Sequence, residues 1–116
     1  MNAFQVEESH IEGVCFAGAD LTDADLSNSK WNDVDFRKAI LQRTKFEGAQ
    51  IFGRMDCRGS DMSGANFRNA RLHSLLIDEN TIVDDADFTG AKVKGGTTKG
   101  LWLIVLDGKL QASKTP

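Results

Sequence analysis

The side chains in this 116-residue chain that are of the types that perform chemistry stand at spacings that argue against catalysis. The two histidines, His10 and His73, are far apart, and neither has a cysteine or carboxylate beside it at metal-ligand spacing. No serine or cysteine stands in a nucleophile elbow. The segment Gly95-Gly96-Thr97-Thr98-Lys99-Gly100 shares its composition with a phosphate-binding loop, but the residue order does not fit GxxxxGK(S/T). It reads instead as a flexible exit from the elements before it. Asp35 with Asp56 and Arg37 with Arg58 resemble a ligand-ready charge set, yet solvated cross-strand ion pairs worth under ~1 kcal/mol each are the commoner case. The expectation is a protein that is not an enzyme and needs neither metal nor cofactor.

What must position these residues is visible in the spacing of the apolar ones. A small residue followed two positions later by a large apolar one recurs every five residues: Ala19-Asp20-Leu21, Ala24-Asp25-Leu26, Ser29-Lys30-Trp31, Val34-Asp35-Phe36, Ala39-Ile40-Leu41, Thr44-Lys45-Phe46 and Ala49-Gln50-Ile51. The pattern resumes at Ser60-Asp61-Met62, Ala65-Asn66-Phe67 and Ala70-Arg71-Leu72, and again at Ala86-Asp87-Phe88 and Ala91-Lys92-Val93. Neither a helix at about 3.6 residues per turn nor a strand with its period of about two keeps every fifth residue on one buried face. A chain that turns a corner every five residues does. Four corners close a coil of about twenty residues, and successive coils stack as parallel strands about 4.8 Å apart, with large residues on the axis and small ones in the corners.

On these residues the chain resembles the pentapeptide-repeat proteins, whose motif is A(D/N)LXX. The match runs from about Val14 to Val93. The resemblance implies an all-β fold, a right-handed quadrilateral β-helix of about four coils, with residues 1–13 as an N-terminal cap and first partial coil. Residues 14–93 form the repeat body, and residues 94–116 a C-terminal cap or dimerisation segment and tail. Because the motif residues are those that build the solenoid, the resemblance is specific for fold and uninformative about function.

Taking every fourth repeat as one side of the square predicts four axial stacks. Phe16, Phe36, Cys57 and Ile77 form the first; Leu21, Leu41, Met62 and Val83 the second. Leu26, Phe46, Phe67 and Phe88 form the third; Trp31, Ile51, Leu72 and Val93 the fourth. Six residues rather than five separate Ile51 from Cys57, so one residue within Phe52-Gly53-Arg54 should bulge. A second slip falls between Ile77 and Val83, around Asp78-Glu79-Asn80, where the register is open by one residue. Cys15 should point outward and Cys57 inward two coils away, a separation of about 9.6 Å against a disulfide limit of about 7 Å. Two free thiols are expected.

Function must then lie in the outward positions flanking each axial residue. The second side carries Asp20, Asp23, Ile40, Arg43, Asp61, Ile82, Asp84 and Asp85, a net of about −4. The opposite, fourth side carries Lys30, Asp33, Phe52, Arg71, Lys92 and Lys94, about +3 with His73 neutral. Ile40, Phe52, Leu76 and Ile82 are apolar residues at outward positions, and a cluster of such residues suggests a contact surface. The reading is a rigid, non-catalytic protein-binding platform. One branch of the family, the quinolone-resistance-type proteins, is similar to B-DNA in shape and charge and binds bacterial type II topoisomerases such as DNA gyrase, which is the alternative. DNA carries a charge every ~1.7 Å, so a column about 19 Å long should show on the order of eleven, and the second side offers about four. A secreted effector or adaptor is the second alternative the resemblance implies.

The ends need closing, because an open β-helix exposes strand edges and core. Phe4 and Val6 can plug the first coil, with Ile11 continuing the period. Gly100 to Leu106 reads as a strand, Asp107-Gly108 as a tight turn and Lys109 to Ala112 as a return strand. Leu101, Trp102, Leu103 and Ile104 are too apolar for an exposed edge: they cap the last coil, or they pair with a second copy as a homodimer. Met1 to Ser9 lacks the features of a signal peptide, and the longest apolar run is far short of the ~20 residues that span a bilayer. A cytoplasmic bacterial protein is expected, with delivery by a signal-less secretion system also compatible. Its partner would be another protein, with no membrane and no direct nucleic-acid binding.

Overall fold

The computed structural model describes residues 10–95 and 102–113. Phe4, Val6, Leu101 and the tail from Lys114 lie outside them. Five strands, β1 (His10–Cys15), β2 (Lys30–Asp35), β3 (Gln50–Asp56), β4 (Arg71–Leu76) and β5 (Lys92–Gly95), form one parallel sheet in sequence order. Sequential parallel neighbours about twenty residues apart mean that the chain winds as a solenoid, each turn lying on the last. The other sides are single rungs, bridged Asp20↔Ile40↔Asp61↔Ile82 and Asp25↔Lys45↔Asn66↔Asp87. No helix occurs among the described residues.

The corners explain the five-residue period. At most of them the N–H of the small residue donates to the carbonyl of the axial residue three positions earlier, as in Ala24 to Leu21 (3.0 Å) and Ala49 to Phe46 (3.0 Å). The residue before the small one is left-handed: Asp23, Asn28, Asn69 and Asp85 take φ of 64°, 59°, 60° and 58°, the geometry of a type II turn, which favours Gly and Asn. Lys38 and Arg43 are held in the same region, at 58° and 55°. The small residues point inward and are sealed, with Ala24, Ala49, Ala65 and Ala70 fully buried. Where a corner residue is hydroxylic, its O–H donates to a carbonyl, Ser29 to Leu26 (2.6 Å), Thr44 to Leu21 (2.9 Å) and Ser60 to Cys57 (2.8 Å). Among the described residues no buried side-chain polar atom lacks a partner.

The four predicted stacks form in the predicted register. Phe46, Phe67 and Phe88 lie face to face, with centroids 4.7 and 4.6 Å apart and planes within 6° and 5° of parallel. Phe16, Val83 and Val93 are only partly buried. The fourth corner departs from the small-residue rule. Val34, Met55 and Leu75 occupy it and are buried, so this edge of the square holds a second layer of large side chains. Here β3 takes up its extra residue. Asn32 pairs with Phe52 but Val34 with Met55, and Gly53 is left-handed with φ 71°, within the predicted bulge. The second slip is a widened corner closed by Thr81, whose N–H donates to the Asp78 carbonyl (3.1 Å) and whose O–H reaches that of Cys57 (3.0 Å). The register resumes at Val83, the Met62 N–H meeting the Ile82 carbonyl.

Strands β6 (Trp102–Leu106) and β7 (Lys109–Ser113) pair antiparallel. Asp107 and Gly108 join them, both with positive φ, 51° and 76°, as a type I′ turn requires. The hairpin closes the column on itself: the Phe88 N–H donates to the Gly108 carbonyl (2.7 Å), continuing the third side by one rung, and Leu110 enters the core.

Candidate protein-binding surfaces

The outward carboxylates of the repeats are tied into the wall that carries them. Asp20 Oδ1 accepts the Thr22 N–H (3.1 Å) and O–H (2.6 Å), and Asp61 Oδ1 accepts those of Ser63 (3.0 and 2.5 Å). Asp61 Oδ2 also accepts the Gln42 amide from the coil below (2.7 Å). The same bond two residues ahead recurs at Asp25, Asp35, Asp56 and Asp87. These bonds favour the charged form. The Thr22 hydroxyl and N–H lower the Asp20 pKa from its ordinary value. At Asp61 burial opposes ionisation, but Ser63 and Gln42 together outweigh it and the pKa is lowered. The sequence signal for this was Asp-x-Thr or Asp-x-Ser, an Asx-turn spacing present at Asp20-Leu21-Thr22, Asp25-Leu26-Ser27, Asp61-Met62-Ser63 and Asp87-Phe88-Thr89.

On the first side, charge is paired differently from the expectation. Arg37 meets Asp35 (2.9 Å) and Arg58 meets Asp56 (2.6 Å), each within its own coil, and only the 3.9 Å approach of Arg37 to Asp56 crosses coils. Nor is Asp56 solvated, since its side chain is 7% exposed. Burial alone would raise its pKa, and the Arg58 side chain, N–H and charge more than offset that and hold it low. The expected solvated cross-strand pairs are therefore two intra-coil clamps, one of them with its carboxylate buried. The thiol of Cys15 approaches Asp35 (3.8 Å). Cys15 and Cys57 are both free, the first exposed and the second buried. A shallow open groove runs beside these groups, flanked by Gly13, Val14 and Arg54.

The second side brings Asp20, Ile40, Asp61 and Ile82 into one line up the column. Ile40 and Ile82, with Phe52 on the fourth side, are the large hydrophobic residues left exposed among those described, at 38%, 42% and 38%. Leu76 is half-buried. Asp23 is paired with Arg43 at 2.8 Å, whereas Asp84 and Asp85 are exposed with no ion pair among the described residues.

On the fourth side, Lys30, Gln50, Arg71 and Lys92 are aligned by strand register. Phe52 and His73 stack beside them with ring centroids 5.0 Å apart. Arg37, Arg43, Arg58 and Arg68 elsewhere all have carboxylate partners, but Lys30, Arg71, Lys92 and Lys94 form no ion pair among the described residues. Trp102, Leu103 and Ile104 lie in β6.

Among the described residues no group of three or more His, Cys, Asp and Glu is arranged to hold a metal, and no helix is long and apolar enough to cross a membrane. A filled parallel coil with its chemistry confined to wall residues is a β-solenoid repeat protein. The family model for pentapeptide repeats matches eight copies over residues 19–53 and 51–74, and the chain belongs to the pentapeptide-repeat proteins. A search of curated proteins gave no match. Among solved structures it is similar to QnrB1, a plasmid-mediated fluoroquinolone resistance protein, at 20% identity over 80% of this chain and 67% of that one, with a TM-score of 0.33. Rfr23 from the cyanobacterium Cyanothece 51142 aligns at 16% identity over 80% and 86%, TM-score 0.32. HetL from Nostoc sp. strain PCC 7120, involved in heterocyst differentiation regulation, aligns at 17% over 80% and 73%, TM-score 0.28.

Proposed function

We propose that this protein is a non-catalytic protein-interaction module that binds its partner through the second side. The observation that carries the reading is the line Asp20, Ile40, Asp61, Ile82, in which two exposed isoleucines alternate with carboxylates on a rigid wall. Isolated exposed apolar residues need no explanation, but an aligned pair ringed by charge fits a contact surface. The wall is pre-ordered by the Asx bonds and the stacked core, so binding costs little conformational entropy on this partner's side. With Asp84 and Asp85 forming no ion pair among the described residues, the complementary surface carries Lys or Arg around an apolar contact.

The test is affinity capture from native-host lysate with three baits: wild type, Ile40→Lys with Ile82→Lys, and Lys92→Glu with Lys94→Glu. A protein retained by wild type and by the fourth-side variant, but lost by the isoleucine variant, supports the reading. Loss in neither variant would move the contact away from this side. Circular dichroism melts must show all three baits folded.

A further inference from the structure

The second and fourth sides are opposite faces of one column, so they share one rise per coil, and their exposed residues can be compared coil by coil. In the first coil Asp20 and Asp23 stand opposite Lys30, which is accompanied by Asp33. The second coil places Ile40 on one face and Phe52 on the other, both exposed. Asp61 stands opposite Arg71 and His73 in the third, and Asp84 with Asp85 opposite Lys92 with Lys94 in the fourth. At the second, third and fourth coils, Ile82 apart, what one face offers is the complement of what the other offers: apolar for apolar, then acid for base.

We infer that the occupant of the fourth side is the second side of another copy of this chain, the two columns lying side by side and parallel. Opposite faces of a square column point in opposite directions, so a neighbour displaced sideways without rotation presents its fourth side to the first molecule's second side. Their equal rise of about 4.8 Å per coil keeps every coil in register, which a helix, rising about 5.4 Å per turn, does not do. An antiparallel neighbour would set Ile40 against Arg71 and His73 and lose the apolar contact. Because Lys30, Arg71, Lys92 and Lys94 have no carboxylate partner of their own among the described residues, no internal ion pair has to break.

The contact is heterologous. Each added copy leaves one second side and one fourth side free, so association gives open rows rather than closed dimers. One face spans only three rises of about 4.8 Å, so the buried area falls below the ~1,200 Å² of stable interfaces and the rows are weak and salt-sensitive. The inference rests on the second side being a contact surface, and it adds a specific occupant for the fourth.

Sedimentation equilibrium at low ionic strength, up to about 1 mM protein to reach the weak end of the affinity scale, tests it with two full-length variants. Asp84→Lys disables the second side, and Lys92→Glu with Lys94→Glu disables the fourth; both keep exposed positions exposed. Wild type should show an average mass that keeps rising with concentration and returns to the monomer value in about 1 M salt, where the Debye length is ~3 Å. Each variant alone should stay monomeric. Mixed one to one, they should associate again, since one retains a working fourth side and the other a working second side, and the two reversed faces are themselves complementary. A monomeric wild type overturns the inference, as does a mixture that fails to associate. So does a wild-type mass that plateaus at the dimer and ignores both variants, which would place association at another surface such as the C-terminal end. Failure here with the isoleucine-dependent capture intact would leave the proposed function standing; loss of both would remove the second side from either role.

Discussion

Replacing Phe67 with alanine tests the axial register at its most heavily packed point. The ring is fully buried and sandwiched between those of Phe46 and Phe88, at 4.7 and 4.6 Å. Truncation removes its burial and opens a cavity for which Phe→Ala changes cost about 3 to 5 kcal/mol. Two parallel stacks are lost as well, each ~0.5 to 1.5 kcal/mol beyond area burial, and this places the expected loss in the upper part of that range. The coils above and below are fixed by rungs such as Phe46 N–H to the Asn66 carbonyl and Phe67 N–H to the Asp87 carbonyl, both 2.7 Å, so the cavity cannot readily collapse. A domain of this size has on the order of 6 to 17 kcal/mol in hand at ~0.05 to 0.15 per residue, and the variant should remain foldable but lose a large share. Urea unfolding followed by far-UV circular dichroism measures the loss, with Phe52→Ala, whose ring is 38% exposed, run beside it. A Phe67→Ala loss under about 1 kcal/mol, or no larger than that of Phe52→Ala, would refute the reasoning, because a buried stacked ring cannot be that cheap to remove.

Ser29→Ala should cost about 1 to 3 kcal/mol by orphaning the buried Trp31 indole N–H, which now donates to Ser29 Oγ at 2.5 Å; a thermal melt reads it, and an unchanged midpoint would deny the bond any weight. Gly48→Ala should lower the midpoint more than Gly18→Ala, because both glycines are left-handed (φ 71° and 72°) but only at Gly48 would a Cβ meet the Asn28 amide oxygen. On acidification the midpoint should hold to about pH 5 and then fall. The sign follows from Asp20, Asp23, Asp25, Asp35, Asp56, Asp61 and Asp87, whose folded pKa values all lie below the ordinary 3.8, so their contribution is complete above that value and is lost as pH drops through the folded ones; a midpoint that rises below pH 4 would contradict it. Ellman's reagent should titrate one thiol in the native protein and two in denaturant, since Cys15 is exposed whereas burial encloses Cys57 and raises its pKa; two fast equivalents would invert the assignment of inside and outside.

The axial residues were legible because a five-residue period has one simple physical solution, and counting it through two irregularities placed Cys57 and Val83 on the axis. The hairpin was legible for the same kind of reason, Asp107-Gly108 being a turn pair that needs two left-handed residues. Less legible was the fourth corner. Val34 was read as an ordinary small-position residue, whereas Met55 and Leu75 in the equivalent place show that this edge accepts bulk, and the unequal spacing around Gly53 obscured the equivalence. The pairing of Arg58 with Asp56 rather than with a neighbouring coil was also out of reach. Residue spacing says which side chains share a face, but side-chain rotamers decide which partner is taken.

The Asx bonds change what an acidic surface means in a chain of this kind. A motif that favours Asp or Asn before each axial residue will load the outside of any such column with carboxylates, and here Asp20, Asp25, Asp35, Asp56, Asp61 and Asp87 each accept an N–H two residues ahead. Counting these acids as binding residues therefore overstates the functional signal, because each is already engaged by the wall whatever the partner. Groups that the fold does not employ are better guides. On the second side those are Ile40, Ile82, Asp84 and Asp85, and on the fourth Lys30, Phe52, Arg71, Lys92 and Lys94. That Asp84 and Asp85 stand on one face and Lys30, Arg71, Lys92 and Lys94 on the opposite one is not demanded by the repeat, which would fold equally well with either charge at those exposed positions. Surface charge that folding leaves free to vary, and that is nevertheless sorted by face, is what recognition by a complementary surface predicts.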